Sequence, residues 1–233
     1  MLTLTLDQII AISASLAGGL SALATLFTVL QISIQRRESY RPELVFSTTK
    51  FDTSAEQNSH SLSQQLHHDF KVTIHNIGLG AAKNLKITWS FPIEIAVEKV
   101  NILTAKGVNL EIYKFEKNVL SSTGGETKDM MSMWANQQIQ LIDFALPATV
   151  NSQPISILIP HAYSTLWLAY YSNLILQNNL SKTTDFPPLK STITYQDIGG
   201  AKHKIEQLLT ITLSSFIHNK RKASGFISSK SIN

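Results

Sequence analysis

Phe70-Lys71-Val72-Thr73-Ile74-His75-Asn76-Ile77-Gly78-Leu79-Gly80-Ala81-Ala82-Lys83-Asn84-Leu85-Lys86-Ile87-Thr88-Trp89 is the stretch that decides the fold. Residues 70–75 alternate, with Phe70, Val72 and Ile74 on one face, the period of a half-buried strand. Turn residues follow, and a second strand begins near Ala81. The pair reads as a hairpin with a loop longer than two residues. In that turn Gly78 and Gly80 are expected to supply positive φ. Asn76 is expected to bond its own backbone and to tolerate the left-handed region. Ala81 and Ala82 allow close packing where the chain re-enters the sheet.

Working outward, more short strands appear. Residues 43–51 mix apolar and β-branched side chains and read as a strand, while 52–68 are polar and read as a long loop. Residues 93–100 and 108–115 are further strand candidates. Residues 130–145 are more ambiguous, strongest at 139–144. Residues 191–195 form a strand, Asp197, Gly199 and Gly200 belong to the turn after it, and residues 202–214 return as its partner. Short strands separated by turns predict a mainly β fold: an antiparallel β-sandwich over residues 43–214. Residues 144–181 contain no Asp, Glu, Lys or Arg. A strand at 155–159 and a helix from Pro160 through residue 176 are expected there. Two readings of that helix stay open, a second membrane span and one additional helix capping the sandwich; Pro160, His161, Ser164, Ser172 and Asn173 weaken the first. A partner interface is a third use for this stretch. Residues 215–233, with Lys220, Arg221, Lys222 and Lys230 among serines, read as a basic disordered tail.

The N-terminal end is of another kind. Residues 8–35 carry no charged side chain, and only 15% of the 233 residues are charged, against ~25% in an ordinary soluble domain. A membrane helix needs ~20 mainly apolar residues, so residues 8–35 predict a single transmembrane span, followed by a juxtamembrane linker at 36–42. A cleaved signal would have a basic n-region and a shorter apolar run; here Asp7 is the sole charge before the run. Arg36, Arg37 and Arg41 flank the span on its C-terminal side alone, which predicts the N-terminus outside and the rest in the cytoplasm, at the inner membrane of a bacterium. Ala14, Gly18 and Ala22 form a ridge of small side chains at which two such helices can approach closely.

The run from Asn76 to Leu85 resembles the strand–turn–strand signature of bacterial Ig-like sandwiches of the CARDB kind. Tyr195-Gln196-Asp197-Ile198-Gly199 is similar to the late hairpin of bacterial proteins with one N-terminal span and a cytoplasmic sandwich. The resemblance implies an Ig-like β-sandwich over most of residues 43–214 and is nearly silent on function.

Catalytic and cofactor chemistry finds little support. The absence of cysteine excludes disulfides, thiolate metal sites and cysteine nucleophiles. Gly78-x-Gly80-x-x-Lys83 lacks the spacing of a phosphate loop. His67, His68, Asp69 and His75 are the sole histidine-rich cluster, and His75 falls on the polar face of its strand, so no metal site is expected. No nucleophile elbow and no His-Glu-x-x-His occurs. Glu94 and Glu98 on a strand of uncertain phase carry no acid–base argument. Asp197 reads as a turn acceptor. Asn179 opens a glycosylation sequon that the predicted topology leaves unused. No cofactor is implied. A net charge of +4 without a recognition motif is weak ground for nucleic acid as a partner.

Three functions fit. The first is a non-enzymatic, membrane-tethered binding or sensing module for a protein partner or small ligand. The second is a ligand-triggered membrane effector, for example in antiphage defence, that oligomerises through its span. The third is an accessory subunit of a membrane complex.

Overall fold

The structure, a computed structural model, describes residues 5–54, 70–104, 112–123, 131–134, 139–148, 153–177, 185–217 and 222–232. Helix α1 (Leu6–Ser39) contains the charge-free run and continues one turn beyond it. Its 34 residues reach ~51 Å at 1.5 Å each, more than the ~30 Å of a hydrocarbon core. No residue of α1 is buried. The hydroxyls of Ser13, Ser15, Thr25 and Thr28 donate to carbonyls three or four residues back, so the helix itself satisfies these four groups, as a span in lipid would need. Among the described residues α1 is the one helix long and apolar enough to cross a membrane.

The body after α1 is β-rich. Its strands are β1 (Leu44–Ser47), β2 (Thr49–Ser54), β3 (Lys71–Asn76), β4 (Ala82–Ser90), β5 (Ile112–Glu116), β6 (Val119–Thr123), β7 (Met131–Trp134), β8 (Gln140–Ala145), β9 (Ile155–Leu158), β10 (Leu189–Gln196), β11 (Lys202–Ile217) and β12 (Lys222–Ser231). Its helices are α2 (Ile93–Thr104) and α3 (His161–Leu176). The strands form a six-stranded sheet in the order β2-β12-β11-β10-β4-β8 and two three-stranded sheets, β1-β3-β9 and β5-β6-β7. Every pairing is antiparallel among the described residues. The chain changes sheets at Thr48: β1 pairs with β3, and β2, two residues on, pairs with β12.

One hydrophobic cluster joins all three sheets and both α2 and α3. Its centre is aromatic. Phe51 and Phe70 lie 4.7 Å apart, and both meet the Trp167 ring of α3 edge-on, at 5.9 and 5.8 Å. Ala162 to Leu168 are all buried. This settles the helical part of the charge-free stretch: the side chains of Ala162 to Leu168 face the body's own core, as a helix packed on a sheet, and α3 is not a second span. Asn173 donates to the Thr104 hydroxyl at 3.0 Å and Gln177 to the Leu103 carbonyl at 2.7 Å, tying α3 to α2.

Four expectations are corrected. Residues 93–100 are not a strand but the first two turns of α2. The buried set Ile93, Ala96, Val97, Val100, Leu103 and Thr104 has the 3.6-residue period, which leaves Glu94 and Glu98 exposed. Among the described residues the body therefore has two helices rather than one. The C-terminal segment is not a disordered tail throughout: β12 pairs with β11 from Ile217↔Lys222 to Gln207↔Ser231 and with β2. Its apolar positions were few, but Ile227 reaches the core. Finally, β3 and β4 do not pair with each other. The turn between them crosses from one sheet to the other, for a reason visible at Asn76. Residues 55–69, with His67, His68 and Asp69, and Gly124, Gly125, Asn179, Lys220 and Arg221 lie outside the described residues.

Candidate functional site

The two motif stretches, which are more than a hundred residues apart, meet where α1 enters the body. Asn76 ends β3 and is 3% exposed. Its Oδ1 accepts from the backbone N–H of Glu43 at 3.1 Å and of Gly78 at 3.2 Å. Its Nδ2 donates to the carbonyls of Gly80 at 2.7 Å and Ala145 at 2.9 Å. A side-chain amide has two donor hydrogens and two acceptor lone pairs, so its capacity is filled. These bonds hold the turn, the start of β1 and the end of β8 together. They take the place of the cross-strand bonds a hairpin would have made, so β3 and β4 splay into different sheets.

Gly78 and Gly80 are glycines because of space. Neither has positive φ. A Cβ on Gly78 would collide with the Arg41 carbonyl and the Glu43 nitrogen, and one on Gly80 with the Tyr40 carbonyl. The expected left-handed conformation appears instead at Asn84, φ 52°, and Gly200, φ 85°. Asn84 shifts the phase of β4 by one residue, so that Ala82 and then Leu85, Ile87 and Trp89 all face the core.

The second stretch closes on the same segment from the other side. The Tyr195 hydroxyl donates to the Pro42 carbonyl at 3.2 Å, and burial raises the phenol's pKa. The Tyr195 ring stacks on His203 at 5.1 Å. His203 Nε2 lies 3.1 Å from Asp197 Oδ2, and Asp197 Oδ1 accepts from the Ala201 N–H at 2.8 Å. The hydrogen bond from His203 above all, then the Ala201 N–H, with Arg37 also contributing, holds the Asp197 carboxyl below its usual pKa. Gly199 packs against Asp197, and Gly200 donates to the Asp197 carbonyl at 3.0 Å. Lys83 donates to the Ile198 carbonyl at 3.4 Å and Asn84 to Gln196 Oε1 at 3.3 Å, joining the two turns. The segment expected to be a linker is thus helix through Ser39 and then a clamped strip at residues 40–43. A groove of about 670 Å³ runs beside it, with Glu38, Ser39, Ile77, Leu79, Tyr195, Ile205 and Gln207 among its walls.

A second concavity lies on the far half of β11. It has a volume of about 280 Å³ and is walled by Tyr163, Trp167, Tyr171, Phe186, Pro188 and residues 210–213 of β11. Trp167 and Tyr171 lie 4.2 Å apart, and Tyr163 meets Phe186 at 5.6 Å. Tyr163 donates to the Pro187 carbonyl at 3.0 Å. Burial pushes the Tyr171 hydroxyl up to about 12 and raises that of Tyr163 further, so both stay protonated donors at neutral pH. The rings that edge the cleft pack on one another and are themselves nearly buried, so it offers a small, partly apolar concavity beside β11.

The structure brings together Asn76, Gly78, Gly80, Asp197, Gly199, Gly200 and Arg41, and places Arg37 close enough to act on Asp197. Arg36 is exposed on α1. Ala14, Gly18 and Ala22 stay on the bare helix, with nothing within 4 Å of where a Gly18 Cβ would stand. His75 is half-buried on β3 rather than fully exposed. Among the described residues no three His, Asp or Glu side chains gather as metal ligands. Sequence reasoning missed the aromatic cleft. Its signal was Tyr163, Trp167 and Tyr171, spaced by four on a charge-free helix.

A family described as Domain of unknown function (DUF8453) matches residues 9–216, and the chain belongs to that family. No curated protein and no solved structure matches the chain.

Proposed function

We infer that this member of the DUF8453 family is a membrane-tethered binding and sensing module without catalytic chemistry. In this reading α1 crosses the bilayer once and the body binds a small ligand or protein partner beside it. The observation that carries the reading is the path of β11. Ile205 and Gln207 of this strand wall the groove at the α1 junction, and Ile211 and Leu213 wall the aromatic cleft. β10 pairs with the junction half of the strand, Lys202–Leu209, and β12 with the cleft half, Gln207–Ile217, the two overlapping at Gln207–Leu209, and Glu206 bridges Lys190 and Lys204 at 2.6 and 2.7 Å. An occupant that displaces the cleft end of β11 therefore acts on His203, Tyr195 and the clamped strip. The family match begins inside α1 and runs through the body, which supports treating helix and body as one unit.

The proposal includes the inner membrane as location, with the body on the cytoplasmic side, from the flank of Arg36, Arg37 and Arg41. It also includes an Ig-like ancestry of the sheets, supported by the two turn signatures, with α2 and α3 as departures. The effector reading stays second. The observation that favours it is that the Ala14–Gly18–Ala22 ridge carries no contact from the body and so is free to meet another copy. The accessory-subunit reading loses its main motive, because residues 162–168 are buried inside this chain.

The test is a thermal-shift screen of the full chain in nanodiscs against small, partly apolar compounds, with Leu213→Trp as the filled-cleft control. The reading expects at least one compound to raise the melting temperature of the wild type and not of the variant. Equal shifts in both, or none in the wild type, would remove the cleft as the binding site.

A further inference from the structure

We propose that the turns around the α1 junction form a lipid-contacting rim, and that the body rests on the bilayer surface through Ile77, Leu79, Leu146 and Ile198. This rests on the reading that α1 spans the membrane. All four side chains are more than half exposed, at 53, 66, 66 and 61%. They come from three separate turns or strand ends, yet the structure holds them at one end of the body. Ile77 and Leu79 flank Gly78, which is pressed against Arg41. Leu146 follows Ala145, whose carbonyl is bonded by Asn76. The carbonyl of Ile198 takes the Lys83 ammonium. Four large apolar side chains placed at turn tips, where water would favour polar ones, mark a contact surface.

The position of the rim identifies its occupant. Ile77 and Leu79 wall the same groove as Glu38 and Ser39 of the last turn of α1. The charge-free run of α1 ends at Gln35. Five residues at 1.5 Å bring Tyr40 ~7 Å beyond it, close to the depth of the headgroup layer in a bilayer whose hydrocarbon core is ~30 Å and whose full thickness is ~40–45 Å. Tyr40 is itself 61% exposed, at the level where tyrosines of membrane proteins gather. The rim thus continues the surface of the span and needs no separate partner. Charge plays a minor part. Arg36, Arg37, Arg41, Lys83 and Lys202 are nearly balanced by Glu38, Glu43, Asp143 and Asp197, so contact is expected on neutral lipid.

The chain has no cysteine, so single-cysteine variants report cleanly. Full-length Leu79→Cys, Ile198→Cys, Glu94→Cys and Leu20→Cys would each carry an environment-sensitive dye in phosphatidylcholine nanodiscs doped with nitroxide lipids. Glu94 is exposed at the start of α2, beyond the opposite end of β4, and Leu20 lies mid-span. The expected result is several-fold stronger quenching at 79 and 198 than at 94 with the nitroxide near the headgroup, and strong quenching at 20 with the nitroxide at mid-chain. Quenching at 20 with 79 and 198 no higher than 94 overturns the rim and leaves the span standing. No quenching at 20 overturns the span and the rim with it. A blue-shifted but unquenched dye at 79 and 198 means protein covers these tips, and also overturns the proposal.

Discussion

Replacing Asn76 by alanine removes one amide and strands four backbone groups: the N–H of Glu43, the N–H of Gly78, and the carbonyls of Gly80 and Ala145. Each such bond is worth ~1 kcal/mol net, and a buried group left without a partner costs ~1–3 kcal/mol. Simple addition of the stranding terms gives ~4–12 kcal/mol, but these groups share one site and their effects do not add. The turn also borders a groove open to water, which can rehydrate some of them. A loss of ~3–5 kcal/mol follows, large beside a total stability of ~5–15 kcal/mol. At ~2–4 °C per kcal/mol for a body of this size, the melting temperature should fall by ~6–20 °C. The assay is thermal unfolding of the full chain in nanodiscs, followed by near-UV circular dichroism. Asn76→Asp separates the cause from mere loss of volume. It keeps both acceptor positions but sets a carboxylate against two carbonyl oxygens, so its folded pKa is raised. Its stability should therefore be greatest below the unfolded carboxyl pKa of ~3.9 and fall as pH rises through the folded value. A drop under ~2 °C for Asn76→Ala, less than one ordinary hydrogen bond is worth, would refute the clamp.

Other consequences are smaller. Gly80→Ala should lower the melting temperature, because its Cβ meets the Tyr40 carbonyl, at a cost of ~1–3 kcal/mol typical of overpacking. Gly18→Ala should leave the body's melting unchanged, since nothing lies within 4 Å. Tyr195→Phe should cost ~1 kcal/mol through the lost bond to Pro42, read by denaturant midpoint in detergent micelles. The Asp197 carboxyl has a depressed folded pKa, so its contribution is complete above ~pH 4 and is lost as pH falls through the folded value. In a melting-temperature series from neutral to acid pH, Asp197→Asn should be less stable than wild type at neutral pH and converge with it in acid.

The residues that told most in the sequence were the small and turn-forming ones. Asn76, Gly78, Gly80 and Asp197 marked a turn chemistry that local pattern can reveal, and the structure places all four at the junction. What they did there was hidden. The steric demand on Gly78 and Gly80 comes from residues 40–43, more than thirty positions away, and no local pattern reports a distant backbone. The same limit explains β3 and β4: alternation identifies a strand but not its partner. The strand expected at 93–100 was an error of period: Ile93, Ala96, Val97 and Val100 already stand at i, i+3, i+4 and i+7, the helical spacing, and Leu103 and Thr104 continue it. β12 was missed because Lys222, Ser228, Ser229 and Lys230 read as solvent-loving, while its place in the sheet comes from backbone bonds to β11 and β2. The charge-free stretch at 144–181 was legible as something withdrawn from water. Whether lipid, a partner or its own core covered it depended on tertiary packing.

The central claim is that the cleft and α1 communicate through β11. Spin labels at Ile34→Cys in α1 and Thr194→Cys on β10, in the otherwise cysteine-free full chain, would measure it by pulsed dipolar spectroscopy in nanodiscs. The account expects one narrow distance distribution with Leu213 in place and a shifted or broadened one when Leu213→Trp fills the cleft. The same distribution in both chains would contradict it.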